Sequence, residues 1–233
     1  MDVKTIVEIL LTIILCYLVG SINSSYFLSK LHGYDIRKHG SGNAGASNVV
    51  IMMGKKAGLF VAIVDILKAY IVVSATLRLF DNSAVMGAIA GTSVILGHIF
   101  PFYMGFKGGK GLATLGGTIL AADPRLFIIL LTIAIIMAVV VNYICVVPMS
   151  MSIIFACIYG YTRKSLMSFL ILMIAAVVMN CKHIENIRRI KAGTEARFSL
   201  LWNRKAEAER LGVPDDEGKG LFSVEDSISN NNH

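Results

Sequence analysis

The sequence predicts an all-α integral membrane protein: a bundle of about seven transmembrane helices (five to seven), some short or half-spanning, joined by cytoplasmic glycine-rich motif loops. Of the 233 residues, 55% are hydrophobic, and the mean hydropathy is +0.69. Only 16% are charged, against about 25% in soluble domains. Long apolar runs alternate with polar segments, and about 20 apolar residues form a membrane-spanning helix. This composition excludes a water-soluble fold and a largely disordered chain.

Seven apolar segments follow one another along the chain. The first is long enough to cross a bilayer and lacks the cleavage site of a signal peptide. Polar turns at 81–83 and 123–125 separate later segments, and the proline in the second turn ends a helix. Two segments, 112–122 and 148–161, are short for a full crossing, so a total of five spans also remains open. The predicted segments are 6–28, 57–79, 84–103, 112–122, 126–141, 148–161 and 165–180.

The net charge of +7 is interpreted as a sign of membrane topology. In a soluble protein it would raise nucleic acid as a partner, but the cytoplasmic loops of membrane proteins collect Lys and Arg. Most basic residues fall on one side if the N-terminus is outside and the C-terminus is cytoplasmic. We therefore expect this orientation, no nucleic-acid partner, and membrane lipids around the helices.

The four cysteines lie in or beside apolar runs. No two of them form a C-x-x-C pair, so the sequence indicates neither a zinc site nor a disulfide framework. We interpret them as small buried apolar residues, and we expect no metal and no cofactor. They are Cys16, Cys145, Cys157 and Cys181.

The first polar cluster spans 40–48 and reads GSGNAGASN. Glycines allow positive φ angles and let backbone amides converge. Converging amides form a concave anion site, which Ser and Asn side chains can extend. We therefore predict that this cluster binds phosphate, although a plain glycine-rich connector is the alternative. The candidate residues are Gly40, Ser41, Gly42, Asn43, Gly45 and Asn48.

The second cluster, FKGGKG at 106–111, opens the short helix predicted at 112–122. A helix N-terminus presents free N–H groups and the positive end of a dipole, and two lysines add charge. The cluster is not a Walker A loop, so nucleotide hydrolysis has no support. His98, just upstream, is interpreted as structural. The candidate residues are Lys107, Gly108, Gly109, Lys110 and Gly111.

The third cluster, HIENIRR at 183–189, places two polar side chains three residues apart. On a helix His183 and Asn186 share a face and can address one ligand, although a basic juxtamembrane segment is the alternative. Asp65 and Lys68 show the same spacing inside an apolar segment. Charges in lipid are expensive, so we expect these two to pair.

All three clusters fall on the cytoplasmic side of the predicted topology. We therefore predict that they form one site at that face, with a mere scatter of loop charge as the alternative.

Together the clusters resemble the PlsY family of acyl-phosphate:glycerol-3-phosphate acyltransferases. The matching stretches are 20–49, 97–114 and 183–195, and motif order and spacing match over roughly residues 5–198. We accordingly predict a membrane acyltransferase-like domain at 1–198. Residues 199–233 are predicted to be a cytoplasmic tail, disordered from about 212.

The resemblance implies a seven-helix enzyme of the bacterial inner membrane with a cytoplasm-facing site. Such an enzyme transfers a fatty acyl group from acyl phosphate to the sn-1 hydroxyl of glycerol 3-phosphate. The products are lysophosphatidic acid and phosphate, the first step of phospholipid synthesis. Acyl phosphate is a mixed anhydride that gives up phosphate easily, so positioning and charge stabilisation suffice.

The resemblance also implies roles for individual residues and one partner. Ser41, Lys107 and His183 are the expected catalytic residues. Asn186, Cys145 and the other residues of the first two clusters are expected to bind substrate. The enzyme that produces acyl phosphate is the expected partner.

Several positions depart from the family pattern, and one group of them is the stretch 142–145, which reads NYIC where the family usually has Arg-Tyr-Val-Ser. Ile51 stands where the family usually has an arginine expected to bind phosphate, and Cys145 stands where it has a substrate-contacting serine. Ile184 replaces an arginine, and Asn23 replaces a proline. A paralogue that binds its ligands without turnover is therefore the alternative. A small anion transporter is less favoured, since no matched pair of broken helices marks inverted repeats.

Overall fold

A computed structural model describes residues 2–211, and all regular structure in that range is helical. This confirms the all-α prediction. The predicted disorder from residue 212 onward lies outside the described residues. The α-helices are α1 (Val3–Ser21), α2 (Ser24–Leu31), α3 (Ala46–Met53), α4 (Lys55–Leu79), α5 (Ala84–Ile99), α6 (Leu112–Ala122), α7 (Pro124–Val141), α8 (Val146–Thr162), α9 (Leu166–Lys191) and α10 (Arg204–Leu211).

Five helical segments within 2–211 are long and apolar enough to cross a membrane, and α6 and α8 are shorter apolar helices. Large hydrophobic side chains such as Leu15, Ile71, Ile128 and Val140 are exposed on their outer faces. A helix satisfies its backbone hydrogen bonds internally, so lipid can cover such faces. The five segments are Val3–Leu31, Lys55–Leu79, Ala84–Met104, Pro124–Val141 and Leu166–Lys191.

The first apolar segment, predicted at 6–28, lies within the candidate span Val3–Leu31, but the helix is interrupted inside it. Helix α1 ends at Ser21, and Asn23 has an extended backbone with φ −107°. The Asn23 side chain accepts hydrogen bonds from the Tyr26 amide at 2.9 Å and the Ser25 hydroxyl at 2.8 Å. Asparagine favours such caps over a helix interior, so the chain restarts as α2.

Helix α5 packs against α1, α4, α6 and α9, and most of its residues are buried. Its α-helix ends at Ile99, because Pro101 follows and disfavours helix before it, while the span predicted at 84–103 is confirmed as an apolar segment that continues to Met104. Small residues allow close helix contacts. A Cβ at Gly97 would overlap the Tyr17 carbonyl of α1, and a Cβ at Gly20 would overlap the Val94 carbonyl.

The last apolar segment extends beyond the predicted 165–180. Helix α9 continues to Lys191, so the third motif is a direct extension of this helix. Nothing in residues 181–191 interrupts a helix, because no proline or glycine occurs there. After α9, Asn142 binds the Phe198 amide at 2.8 Å and the Ser199 amide at 2.7 Å. The division at residue 198 stays a prediction.

Two neighbouring glycines of α6 provide a matched test of helix packing. A Cβ at Gly117 would overlap the Ile66 carbonyl of α4, whereas a Cβ at Gly116 would meet Phe127 at an ordinary 3.6 Å. Gly117→Ala should cost about 2 kcal/mol of stability through overpacking and lower Tm by roughly 4–8 °C for a chain of this size. Gly116→Ala should leave Tm unchanged or raise it, because alanine favours helix. Equal Tm values in detergent for the two variants would contradict this packing.

Candidate active site

A cavity of about 660 Å³ lies where the three motifs meet. Its wall includes residues from all three polar clusters, which the sequence predicted to form one site. The predicted residues that line it are Gly40, Ser41, Asn43, Gly45, Lys110, Gly111, Cys145, His183 and Asn186. The predicted residues outside its lining are Gly42, Asn48, Lys107, Gly108 and Gly109.

Asn48 shapes the first motif from within rather than facing the cavity. Its side chain is buried, and its amide nitrogen donates to the carbonyls of Ile36 at 3.1 Å and His39 at 3.0 Å. Its oxygen accepts the Ser41 amide at 2.8 Å. The Gly42 amide in turn donates to the His39 carbonyl at 3.0 Å. The amides of Ser41 and Gly42, which we expected to bind phosphate, are therefore used to fix the loop.

The second motif uses its central amides in the same way. The Gly108 amide donates to the Ile99 carbonyl at 3.0 Å, and the Gly109 amide donates to the His98 carbonyl at 3.1 Å. These contacts fold the loop back onto the end of α5. Lys107 is exposed, whereas Lys110 is partly buried and lines the cavity. Of the two lysines, the structure therefore brings only Lys110 to the site.

Two helix N-termini lie at the cavity. Gly45 precedes α3 and Gly111 precedes α6, and neither helix has a side-chain cap. First-turn N–H groups have no partner within their helix, and the positive end of the helix dipole attracts anions there. Gly111 has φ 90°, a conformation that glycine adopts readily. The cavity therefore offers two positions for an anion.

The third motif joins the second through a hydrogen bond from Lys110 Nζ to Asn186 Oδ1. Burial, and next the charge of Arg189, lower the pKa of Lys110 below its usual value. His183 Nδ1 lies 2.7 Å from the Met179 carbonyl. A carbonyl only accepts, so Nδ1 carries a proton, and in the neutral ring Nε2 can accept a hydrogen bond.

Arg189 and Glu195 extend this network and were not among the predicted site residues. Glu195 accepts from Asn186 Nδ2 at 2.5 Å and from Arg189 Nε at 2.7 Å. Arg189 Nη1 also donates to the Ser41 carbonyl at 3.3 Å, which links the third motif to the first. The sequence did contain a signal for Arg189, because this residue follows His183 and Asn186 at the same spacing of three residues on one helix face.

Apolar side chains of α4, α6, α7 and α8 line the other part of the cavity. They include Ile66, Leu115, Phe127, Leu130 and Met151. This apolar lobe is continuous with the polar end, so one elongated ligand with an anionic head and an alkyl tail fits the wall chemistry.

The departures Ile51 and Cys145 both lie in the wall of the cavity. Ile51 is 8% exposed and adds no charge. Burial raises the pKa of the Cys145 thiol, which keeps it in the neutral form. Ile184 is half exposed on α9 and lies outside the cavity lining.

Asp65 and Lys68 form the expected ion pair. Lys68 Nζ lies 2.8 Å from Asp65 Oδ1, and both side chains are buried. The same ammonium lies 3.1 Å from His98 Nδ1. Asp65 and His98 also line the cavity.

Comparisons with known proteins agree with this fold. A family model described as glycerol-3-phosphate acyltransferase matches residues 10–193. A glycerol-3-phosphate acyltransferase of Thermoanaerobacter pseudethanolicus is 38% identical over 189 residues, which make up 81% of this chain and 94% of that protein.

Solved structures give the same result. The fold is similar to that of PlsY (YgiH), described as an integral membrane glycerol 3-phosphate acyltransferase, in its glycerol 3-phosphate form. The TM-score is 0.75 at 31% identity, with 83% of this chain and 96% of that chain covered. For the lysophosphatidic acid form the TM-score is 0.73 at 30% identity, with 81% and 94% covered.

The helices and the cavity therefore define a multi-pass integral membrane protein of the acyltransferase class. The chain belongs to the glycerol-3-phosphate acyltransferase family. The resemblance seen in the sequence is thereby confirmed.

Proposed function

We propose that this chain transfers a fatty acyl group from acyl phosphate to the sn-1 hydroxyl of glycerol 3-phosphate, giving lysophosphatidic acid and phosphate. The observation that carries the proposal is a single cavity that joins two uncapped helix N-termini to an apolar lobe. Two phosphates and one acyl chain need these three environments. The similar PlsY structures are described with glycerol 3-phosphate and with lysophosphatidic acid, one substrate and one product of this reaction.

The two helix N-termini divide the phosphates between them. The N-terminus of α6 with Lys110 holds the phosphate of the acyl donor, and the acyl chain enters the apolar lobe that begins at Leu115. The N-terminus of α3 with the Ser41 hydroxyl holds the phosphate of glycerol 3-phosphate. Fixed dipoles and a partly buried ammonium stabilise the charge that grows on the departing phosphate.

His183 and Asn186 orient the glycerol. In the neutral ring His183 Nε2 accepts the hydrogen bond of the sn-1 hydroxyl, and Asn186 holds the glycerol phosphate beside it. The oxygen attacks the acyl carbon, and the bond from that carbon to the phosphate oxygen breaks. The hydroxyl proton passes to His183 or to a phosphate oxygen, whose second pKa of about 6 suits it as an acceptor.

No covalent acyl-enzyme is needed for this route. The Cys145 thiol is neutral and buried, and a neutral thiol is a poor nucleophile. The leaving phosphate is already activated, so positioning supplies most of the acceleration.

A ligand-binding paralogue with weak turnover is the second candidate, favoured by the uncharged Ile51 in the cavity wall. An acyl-transfer assay of the purified chain with palmitoyl phosphate and labelled glycerol 3-phosphate separates the two. Labelled lysophosphatidic acid supports the enzyme. Substrate binding without product supports the paralogue.

The two lysines of the second motif provide a matched test. Lys110→Ala should lower kcat/KM by about 100-fold, because this lysine lines the cavity and contacts growing charge. Lys107→Ala should change kcat/KM less than about threefold, because an exposed charge is screened by solvent. Steady-state kinetics in detergent micelles check both values. A larger loss of kcat/KM in Lys107→Ala than in Lys110→Ala would contradict the assignment of the donor phosphate to Lys110.

Ile51→Arg should lower KM for glycerol 3-phosphate about tenfold, because a hydrogen bond to a charged partner contributes about 1.5–3 kcal/mol. Ile51→Met is the control, since it keeps the side chain long and uncharged. An unchanged KM in Ile51→Arg, with a Tm close to that of the unmodified protein, would show that residue 51 lies away from the bound phosphate.

We also propose that the chain lies in the bacterial inner membrane with its N-terminus outside and the basic end of α9 in the cytoplasm. Single cysteines at Lys4→Cys and Lys191→Cys, in a chain without the exposed Cys157 and Cys181, test the orientation. A membrane-impermeant maleimide should label Lys4→Cys in intact cells, and Lys191→Cys only after permeabilisation. The reverse pattern would invert the topology.

A further inference from the structure

The buried Lys68 ammonium has three acceptors. Its Nζ lies 2.8 Å from Asp65 Oδ1, 2.6 Å from the Ile22 carbonyl and 3.1 Å from His98 Nδ1. An ammonium has three hydrogens and no lone pair. Each hydrogen therefore has one acceptor, and one of the three hydrogens is donated to the lone pair of His98 Nδ1.

This contact determines the tautomer of His98. Because Nδ1 accepts from Lys68, the ring carries its proton on Nε2. Within residues 2–211, Nε2 has no hydrogen-bond partner, although the ring is buried. Nε2 is not one of the fully enclosed polar atoms without a partner among the described residues, so it borders open space. His98 lines the cavity, so a bound ligand can supply the acceptor.

The position of Nε2 indicates which part of a ligand it meets. A Cβ at Gly109 would overlap Nε2 and would lie 2.9 Å from the Ala44 carbonyl, so the ring nitrogen lies between the first and second motifs. Asp65, whose carboxylate lies 3.8 Å from His98 Nδ1, is followed in the chain by Ile66, and both residues line the cavity where the apolar lobe begins. Nε2 is therefore at the junction of the anionic and apolar ends of the cavity.

We propose that His98 is a neutral hydrogen-bond donor to the acyl-phosphate group, and that Lys68 is the positioning residue that holds its tautomer. This inference rests on the proposed function. An acyl phosphate lying along the cavity places its carbonyl at the junction, where negative charge develops on the carbonyl oxygen during attack. His98 keeps its proton throughout, and the N–H stabilises that charge as a preorganised dipole.

Asparagine and glutamine substitutions separate this role from a structural one. In His98→Asn the side-chain amide reaches the position of Nδ1 and keeps the contact with Lys68, but it lacks a donor at Nε2. In His98→Gln the amide reaches the position of Nε2 and keeps the donor. We expect kcat/KM for acyl phosphate to fall about 100-fold in His98→Asn and less than about tenfold in His98→Gln. KM for glycerol 3-phosphate should stay within about twofold in both.

The reverse order overturns the inference: full activity in His98→Asn with loss in His98→Gln means that only the Lys68 contact matters. Equal activity in the two variants overturns it as well. Tm in detergent identifies a variant that fails to fold. In that case the tautomer is measured in the unmodified protein by solid-state ¹⁵N NMR of labelled histidine, where a proton on Nδ1 contradicts the inference and a proton on Nε2 supports it.

The same protein separates this inference from the proposed function. If the unmodified chain transfers no acyl group, the proposed function fails, and binding of a hydrolysis-stable acyl phosphonate is compared instead. Weaker binding to His98→Asn than to the unmodified chain upholds the donor. Equal binding, or no binding to either, overturns it.

Discussion

The site depends on the contacts that the Glu195 carboxylate makes with Asn186 and Arg189. This carboxylate accepts from Asn186 at 2.5 Å and from Arg189 at 2.7 Å, and Asn186 in turn accepts from Lys110. Arg189 reaches the Ser41 carbonyl. One buried carboxylate therefore connects all three motifs, which come from segments far apart in the chain. A buried charge without partners is expensive, so the motif loops and α9 are held together around Glu195.

Glycines place the loops close enough for this network to form. A Cβ at Gly108 would overlap the His98 carbonyl, and a Cβ at Gly109 would overlap the His98 ring. The second motif can therefore fold back on the end of α5 only without side chains at these positions. These two glycines allow the backbone segments to approach closely. The amides that are free to bind an anion are instead those at the helix N-termini after Gly45 and Gly111.

Periodicity and composition predicted the helices and one shared site, because both depend on local spacing and hydropathy. His183 and Asn186 line the same cavity because they lie three residues apart on a helix. Lys110 rather than Lys107 lines the cavity because of the course that the loop takes. Just before Lys107 this loop has positive φ angles of 63° at Gly105 and 58° at Phe106. Phenylalanine seldom adopts such an angle, so nothing in the sequence indicates which lysine points inward.

Asn48 and Asn23 show a second limit of sequence patterns. A polar residue in a glycine-rich segment suggests a ligand contact, yet the side chain of Asn48 serves three backbone groups. Those acceptors and donors come from turns whose geometry is set only in the folded chain. Asn23 breaks an apolar run for the same reason, because its oxygen caps α2. Local composition cannot distinguish a side chain that satisfies the backbone from one that awaits a ligand.

The charge balance of the network suits the release of phosphate that the proposed function requires. Lys110 and Arg189 supply two positive charges, and Arg189 is paired with Glu195 at 2.7 Å and with the more exposed Glu185 at 3.0 Å. The Lys110 ammonium, which contacts the neutral Asn186, and the helix dipoles can attract an anion without making the site strongly cationic. A site that bound the free phosphate product as tightly as the transition state would gain no rate. Under the proposed function, Glu195 therefore has a second role beside holding the motifs together, since its negative charge limits how strongly the cavity retains the leaving phosphate.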